Sequence, residues 1–175
     1  MKSLVDQLAQ YATYHRDARN IYTHFVGVPM IVLAVAILLS RPAWELGATG
    51  WALSPALWVG AAAALYYLRL DLRYGLCLAL VLAAMLAVGA WLAQQPTGLW
   101  LLWGVGLFVA GWIIQFVGHY WEGRKPAFMD DIMGLLIGPL FVLAEMGFAL
   151  GLRPEVEQAV LERAGAVRQA VRSPL

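Results

Sequence analysis

Charge, cysteine and histidine are all scarce in this chain, and each scarcity excludes something. There is one cysteine in 175 residues, Cys77, so no disulfide can form within the chain. Charged residues make up 13%, about half the ~25% of an ordinary soluble domain. No block of like charge interrupts the sequence and the formal net charge is only +1, so neither a nucleic acid nor another polyanion is implied as partner. The first 24 residues carry Arg, Asp and His and have no apolar core segment, so no cleavable signal peptide is expected. Histidine occurs three times, at His15, His24 and His119.

What the chain has instead is apolar residues, at 62%. They fall in blocks near the ~20 residues that cross a bilayer. Five blocks are visible: Phe25–Leu39, Trp51–Leu68, Tyr74–Leu92, Leu99–Val117 and Ile132–Leu150. Tryptophans 44, 51, 91, 100, 112 and 121 lie at block ends, where an aromatic belt places them. Pro29 stands near the start of the first block, where a helix tolerates it. Gly104, Gly106 and Gly111 in the fourth would let helices approach closely. The expected fold is an all-α, polytopic integral membrane bundle with four firm spans. The fifth block either spans or re-enters, and a bend at Gly138-Pro139 favours re-entry. Residues 1–151 read as a single membrane domain.

Two amphipathic segments flank the blocks. Leu4, Leu8, Tyr11 and His15 share one face of a helix over residues 2 to about 19. The tail, 152–175, places Val156, Val160, Val167 and Val171 at helical spacing among charges. If the first four blocks span, Lys2, Arg16, Arg19, Arg69, Arg73, Arg124 and Lys125 share one side, and the opposite loops hold only Arg41. The positive-inside rule makes the rich side cytoplasmic. That is the inner membrane in a bacterium and the endoplasmic reticulum in a eukaryote. The tail adds Arg153, Arg163, Arg168 and Arg172, which again favours re-entry of the fifth block.

The same topology brings all three histidines to one membrane face. Three imidazoles at one depth suggest a metal site, with structural histidines as the alternative. His15 and His24 are nine residues apart, about 900° and about 13.5 Å on one straight helix, hence on opposite faces. To share an ion they need a chain break between them, and Asn20 is the natural cap of the helix that restarts. Glu122 follows His119 by three residues and is the candidate carboxylate ligand, with an ion pair to Arg124 or Lys125 as its alternative role. Asp130 reads as the cap of the fifth segment, and Asp131 beside it has the same character. Glu145, inside an apolar block, must face protein or water. Arg16, Arg19, Arg124 and Lys125 are the cations nearest the histidines and would meet an anionic substrate head. Fe(II) and Zn(II) both suit imidazoles with open positions, so a dioxygenase and a zinc hydrolase both fit the residues. A transporter fits poorly, because blocks two to four hold no ionisable residue at mid-depth.

YHRDARNIYTHFVGVPMI, followed far downstream by QFVGHYWEGRKPAFMDDIMGLLIGPLFVLAE, resembles the membrane family of the fungal 2-hydroxy fatty acid dioxygenase of phytosphingosine breakdown, formerly a domain of unknown function. The resemblance covers roughly residues 1–150. It implies Fe(II)- and O2-dependent α-oxidation, in which a 2-hydroxy fatty acid becomes the acid one carbon shorter. It also implies His15, His24 and His119 as the iron ligands, and a lipid substrate drawn from the surrounding membrane.

Overall fold

The computed structural model describes residues 2–45, 47 and 52–168. Seven α-helices dominate it. They are α1 (Leu4–Ala12), α2 (Ala18–Leu38), α3 (Pro55–Leu70), α4 (Leu72–Ala93), α5 (Thr97–Glu122), α6 (Met133–Ala149) and α7 (Pro154–Ala164). A two-stranded hairpin, β1 (Trp44–Glu45) with β2 (Ala52–Leu53), precedes α3, and a 3-10 turn, Ala127–Met129, precedes α6. The fold is therefore all-α apart from two-residue strands. Trp51, Val171 and Arg172 lie outside the described residues. The helices group into two compact units, one of residues up to Val28 and from Ile113 onward, the other Pro29–Trp112.

In the first unit, α1 starts on a capping box. Ser3 Oγ accepts from Asp6 N at 3.2 Å and Asp6 Oδ2 accepts from Ser3 N at 2.9 Å. The helix buries Leu4, Leu8 and Tyr11, as their spacing requires. It then stops at Ala12, far short of residue 19. Asp17 accounts for the restart: its Oδ1 accepts from Arg19 N at 2.9 Å. So the expected break exists, but it spans residues 13–17, and Asn20 caps nothing. Because α2 begins at Ala18, Pro29 lies well inside it rather than at its start.

The core of this unit is Ile137, Leu140, Phe141, Val142 and Ala144 of α6 against the buried face of α1. α6 runs unbroken through Gly138-Pro139, which corrects the expected bend there. Gly138 serves close packing instead, since a Cβ at that position would sit 3.2 Å from Tyr11 Oη. The chain turns after α6, at Gly151 (φ +72°) and Arg153 (φ +56°), and α7 departs at 116° to α6. Val156 and Val160 of the tail are buried where α7 packs on α1.

In the second unit, Asp71 ends α3 and caps α4, accepting from Arg73 N and Tyr74 N at 3.0 Å each. The charged link 69–73 is thus a tight helix–helix turn. Gly75 lets it close: a Cβ there would lie 2.6 Å from the Leu68 backbone. Arg41 donates to the carbonyls of Ala93 (2.9 Å) and Gln95 (2.5 Å) and lies 4.8 Å over the Trp100 ring. Of the three glycines expected to admit close packing, Gly104 does so, against Leu38, whereas Gly106 faces open space.

Three helices, α2, α4 and α5, are long and apolar enough to cross a membrane, and four segments qualify if α6 and α7 count as one bent span. α3 has 16 residues, about 24 Å of helix against a hydrocarbon core of ~30 Å. Only 17% of the apolar stretch of α4 is buried, and Leu76, Leu80 and Trp91 are exposed on it. Such a surface is disfavoured in water and suited to lipid.

Candidate metal centre

The break at 13–17 turns His15 back beneath α1. Its ring stacks on Tyr11, centroids 4.2 Å apart and planes within 6°. His15 Nδ1 lies 2.8 Å from the Tyr11 carbonyl, and His24 Nδ1 lies 2.8 Å from the Asn20 carbonyl. A carbonyl only accepts, so each Nδ1 carries the proton and each Nε2 presents a lone pair. Those two Nε2 atoms face each other at 2.9 Å. The contact is repulsive unless a cation lies beside it.

A proton is a poor answer. His15 is fully buried, and burial first, then the adjacent His24, holds it well below the usual histidine pKa. A metal ion is a better one. His119 completes the set from the last turn of α5, its ring centroid 5.0 Å from His15 and 5.2 Å from His24. Its Nδ1 is buried and has no hydrogen-bond partner among the described residues. The ligand atoms of the three histidines all lie within 4.8 Å of one another. An ion about 2.1 Å from each nitrogen holds ligands at most about 4.2 Å apart. The widest separation, no more than 4.8 Å, therefore exceeds that limit by no more than about 0.6 Å (4.8 − 4.2). The donor set fits an imidazole-binding ion such as Zn(II) or Fe(II).

Glu122 is not one of this group. Its side chain is buried and its oxygens are taken. Oε2 accepts from Arg16 N (2.9 Å), Asp17 N (2.7 Å) and Asn20 Nδ2 (3.2 Å), and Oε1 accepts from Arg168 Nη2 (2.6 Å). Four donors occupy what a carboxylate offers. The geometry thus turns Glu122 from candidate ligand into an anchor of the loop that carries His15. Its ionic partner is Arg168, not Arg124 or Lys125. Asp130 likewise does not cap α6, because it bonds Lys125 (2.5 Å) and the Tyr14 hydroxyl (2.9 Å). Asp131 Oδ1 instead accepts from Met133 N at 3.0 Å.

The four candidate cations differ in what they have left to offer. Arg19 makes two bonds to Asp17, Arg124 donates to the Thr13 carbonyl, and Lys125 holds Asp130. Arg16 is buried beside His15. It donates Nε to the His15 carbonyl (3.0 Å) and Nη1 to the Gly165 carbonyl (2.7 Å), while its buried Nη2 makes no hydrogen bond among the described residues. The nearest carboxylate to that Nη2 is Glu145, at 3.8 Å. Glu145 therefore faces protein, as its place in an apolar block requires.

Three residues were not foreseen as part of this region. Tyr11 was legible only as core. Gln115, one turn before His119, is a buried amide in an apolar helix with its Oε1 unpartnered among the described residues. Arg168 gave no signal, since nothing in a charged tail singles out one arginine.

A family model described as 2-hydroxy-palmitic acid dioxygenase Mpo1-like matches residues 1–150. The 2-hydroxy-palmitic acid dioxygenase MPO1 of Saccharomyces cerevisiae is 33% identical over 168 residues, which covers 95% of this chain and 91% of the yeast protein. No solved structure matches the chain significantly.

Proposed function

The chain belongs to the Mpo1-like family, and from that membership we propose that it is a membrane-bound, Fe(II)-dependent dioxygenase that shortens 2-hydroxy fatty acids by one carbon. The observation that carries the metal is the pair of facing Nε2 lone pairs beside the unpartnered Nδ1 of His119. In this reading His15, His24 and His119 hold the ion. The reaction balances as R–CH(OH)–COOH + O2 → R–COOH + CO2 + H2O. The C1–C2 bond breaks, the hydroxy acid loses four electrons and O2 gains them. A ferrous ion, when bound, supplies the O2 activation that none of these side chains can perform.

The protein's own part is to bind, orient and exclude. Arg16 receives the substrate carboxylate through its uncommitted Nη2, displacing the long contact to Glu145. Arg19, Arg124 and Lys125 contribute positive potential around it and attract the acid to this face. The carbonyls of Tyr11 and Asn20 fix the two imidazole tautomers, so that both lone pairs stay directed inward. Asp17 and Glu122 hold the intervening loop, and Asp130 and Asp131 hold the segment after α5. The acyl chain lies in the lipid that surrounds the exposed apolar helices, with this site on the cytoplasmic side. The zinc hydrolase reading loses its general base, because Glu122 is engaged by four donors.

The test is metal analysis of anaerobically purified protein, followed by turnover of 2-hydroxypalmitate under O2. One iron per chain, with O2 consumed and the acid one carbon shorter produced, is expected. Stoichiometric zinc with no O2 consumption would overturn the reading.

A further inference from the structure

The segment that carries His15 has no regular structure of its own, and the chain's tail grips it. Arg168 N donates to the Arg16 carbonyl at 2.6 Å and Ala18 N donates to the Arg168 carbonyl at 3.1 Å. Together they form a parallel bridge between Asp17 and Arg168. Arg16 Nη1 adds a bond to the Gly165 carbonyl at 2.7 Å. The Arg168 side chain then reaches Glu122 Oε1 at 2.6 Å, and the other oxygen of that carboxylate holds the amides of Arg16 and Asp17.

We propose that Arg168 and Glu122 form a latch that sets the position of His15 in the metal site. The inference rests on the three-histidine metal reading and extends it to the tail. Glu122 lies one helical turn beyond His119 on α5, so a single helix presents one ligand and anchors the segment bearing another. Arg168 is the cation that neutralises this carboxylate, whose side chain is 1% exposed. Without it, Glu122 keeps only neutral donors and the backbone bridge loses its ionic support. Residues 15–18 then gain freedom, and His15 no longer stays beside His24. The bonds of Arg168 and Gly165 go to Arg16, Ala18 and Glu122, so both act as positioning groups. Outer partners of this kind commonly tune metal affinity about 10–100-fold.

The test uses the full chain in detergent, freed of metal, with Co(II) as the probe. Co(II) affinity is measured by chelator competition, and amide hydrogen exchange is followed across residues 13–20 and across α1. Arg168→Ala should weaken Co(II) binding at least tenfold and speed exchange at residues 16–18, leaving α1 unchanged. Arg168→Lys, which keeps the charge, should recover part of both. Should Arg168→Ala fail to fold, Arg168→Gln and Arg168→Lys carry the same comparison. Affinity within twofold of the parent sinks the latch, whether or not exchange quickens. Weaker binding with unchanged exchange at 16–18 also sinks it, because the effect would then travel by another route. A parent protein that binds no Co(II) removes the metal reading itself.

Discussion

Gly118→Ala tests the site's geometry without touching a ligand. A Cβ at residue 118 would stand 2.1 Å from Thr23 Oγ1, 2.5 Å from Asn20 Oδ1 and 3.2 Å from Thr23 Cβ. Ordinary contact begins near 3.4 Å, so the first two clashes are short by about 1.3 Å (3.4 − 2.1) and 0.9 Å (3.4 − 2.5). Rotating Thr23 gives up its 2.7 Å bond to the Asn20 carbonyl, a loss of about 1 kcal/mol. It also leaves the Asn20 clash in place. Moving Asn20 disturbs its bonds to Tyr14 and Glu122. Much of the relief must therefore come from α5 shifting away from α2, on the order of 1 Å. Overpacking of this kind costs about 1–3 kcal/mol of stability. A formed metal site keeps each ligand distance within about 0.2 Å. His119 is the next residue, so metal affinity should fall as well, about 10–100-fold. Thermal unfolding, iron content and 2-hydroxypalmitate turnover on the same preparation separate the two effects. Adding Thr23→Ala removes the shortest clash and should recover part of the affinity. If Gly118→Ala retains parental iron and turnover, the close approach of α2 and α5 does not set the ligand geometry, and the reasoning fails.

His24→Ala should lose most iron and activity while far-ultraviolet circular dichroism stays at the parental level, since α2 is held by its apolar length. Retention of both iron and turnover would exclude His24 as a ligand. Glu122→Gln should lower stability by about 1.5–3 kcal/mol, because one face of the amide opposes donors that need an acceptor. The variant should still reach one metal per chain at saturating metal, and failure to do so would restore Glu122 to the ligand set. Arg41→Ala, in the other unit, should lower the unfolding temperature through loss of its bonds to Ala93 and Gln95 and its contact with Trp100. Its iron content should be unchanged, and a fall in metal affinity would show that the histidine group depends on that unit.

The break between His15 and His24 was legible because a nine-residue spacing cannot put two ligands on one helical face. Its position was not. Asn20 and Asp17 are both good caps by type, and the choice between them depends on Glu122 arriving from α5 to hold the amides of Arg16 and Asp17. That contact joins residues more than a hundred positions apart, and no local pattern encodes it. Gly138-Pro139 misled for a related reason. The pair signals a bend locally, yet Gly138 is small to admit Tyr11 and α6 continues through Pro139. The actual turn sits at Gly151 and Arg153, where the backbone takes positive φ. Block lengths located the long apolar helices well. They overstated α3, because the residues before Pro55 belong to the hairpin and its surroundings.

The histidine tautomers show where sequence and structure meet. His15 and His24 each bond the carbonyl four residues back, Tyr11 for one and Asn20 for the other. In His15 that acceptor is the last turn of α1, where helix carbonyls have no helical partner. In His24 it is the first turn of the restarted α2. The break therefore does two things at once. It reverses the direction of one imidazole relative to the other, and it brings that imidazole's proton to the helix-end carbonyl of Tyr11, which also accepts from Tyr14 N at 3.1 Å. Were the helix continuous, the two rings would point apart. With the break, both Nε2 atoms converge at 2.9 Å as unprotonated acceptors. Three short-range features produce this convergence: the end of α1, the Asp17 cap and the i−4 carbonyls. Two contributions come from the long-range fold: Glu122, which holds the amides of Arg16 and Asp17 from α5, and the third histidine, His119.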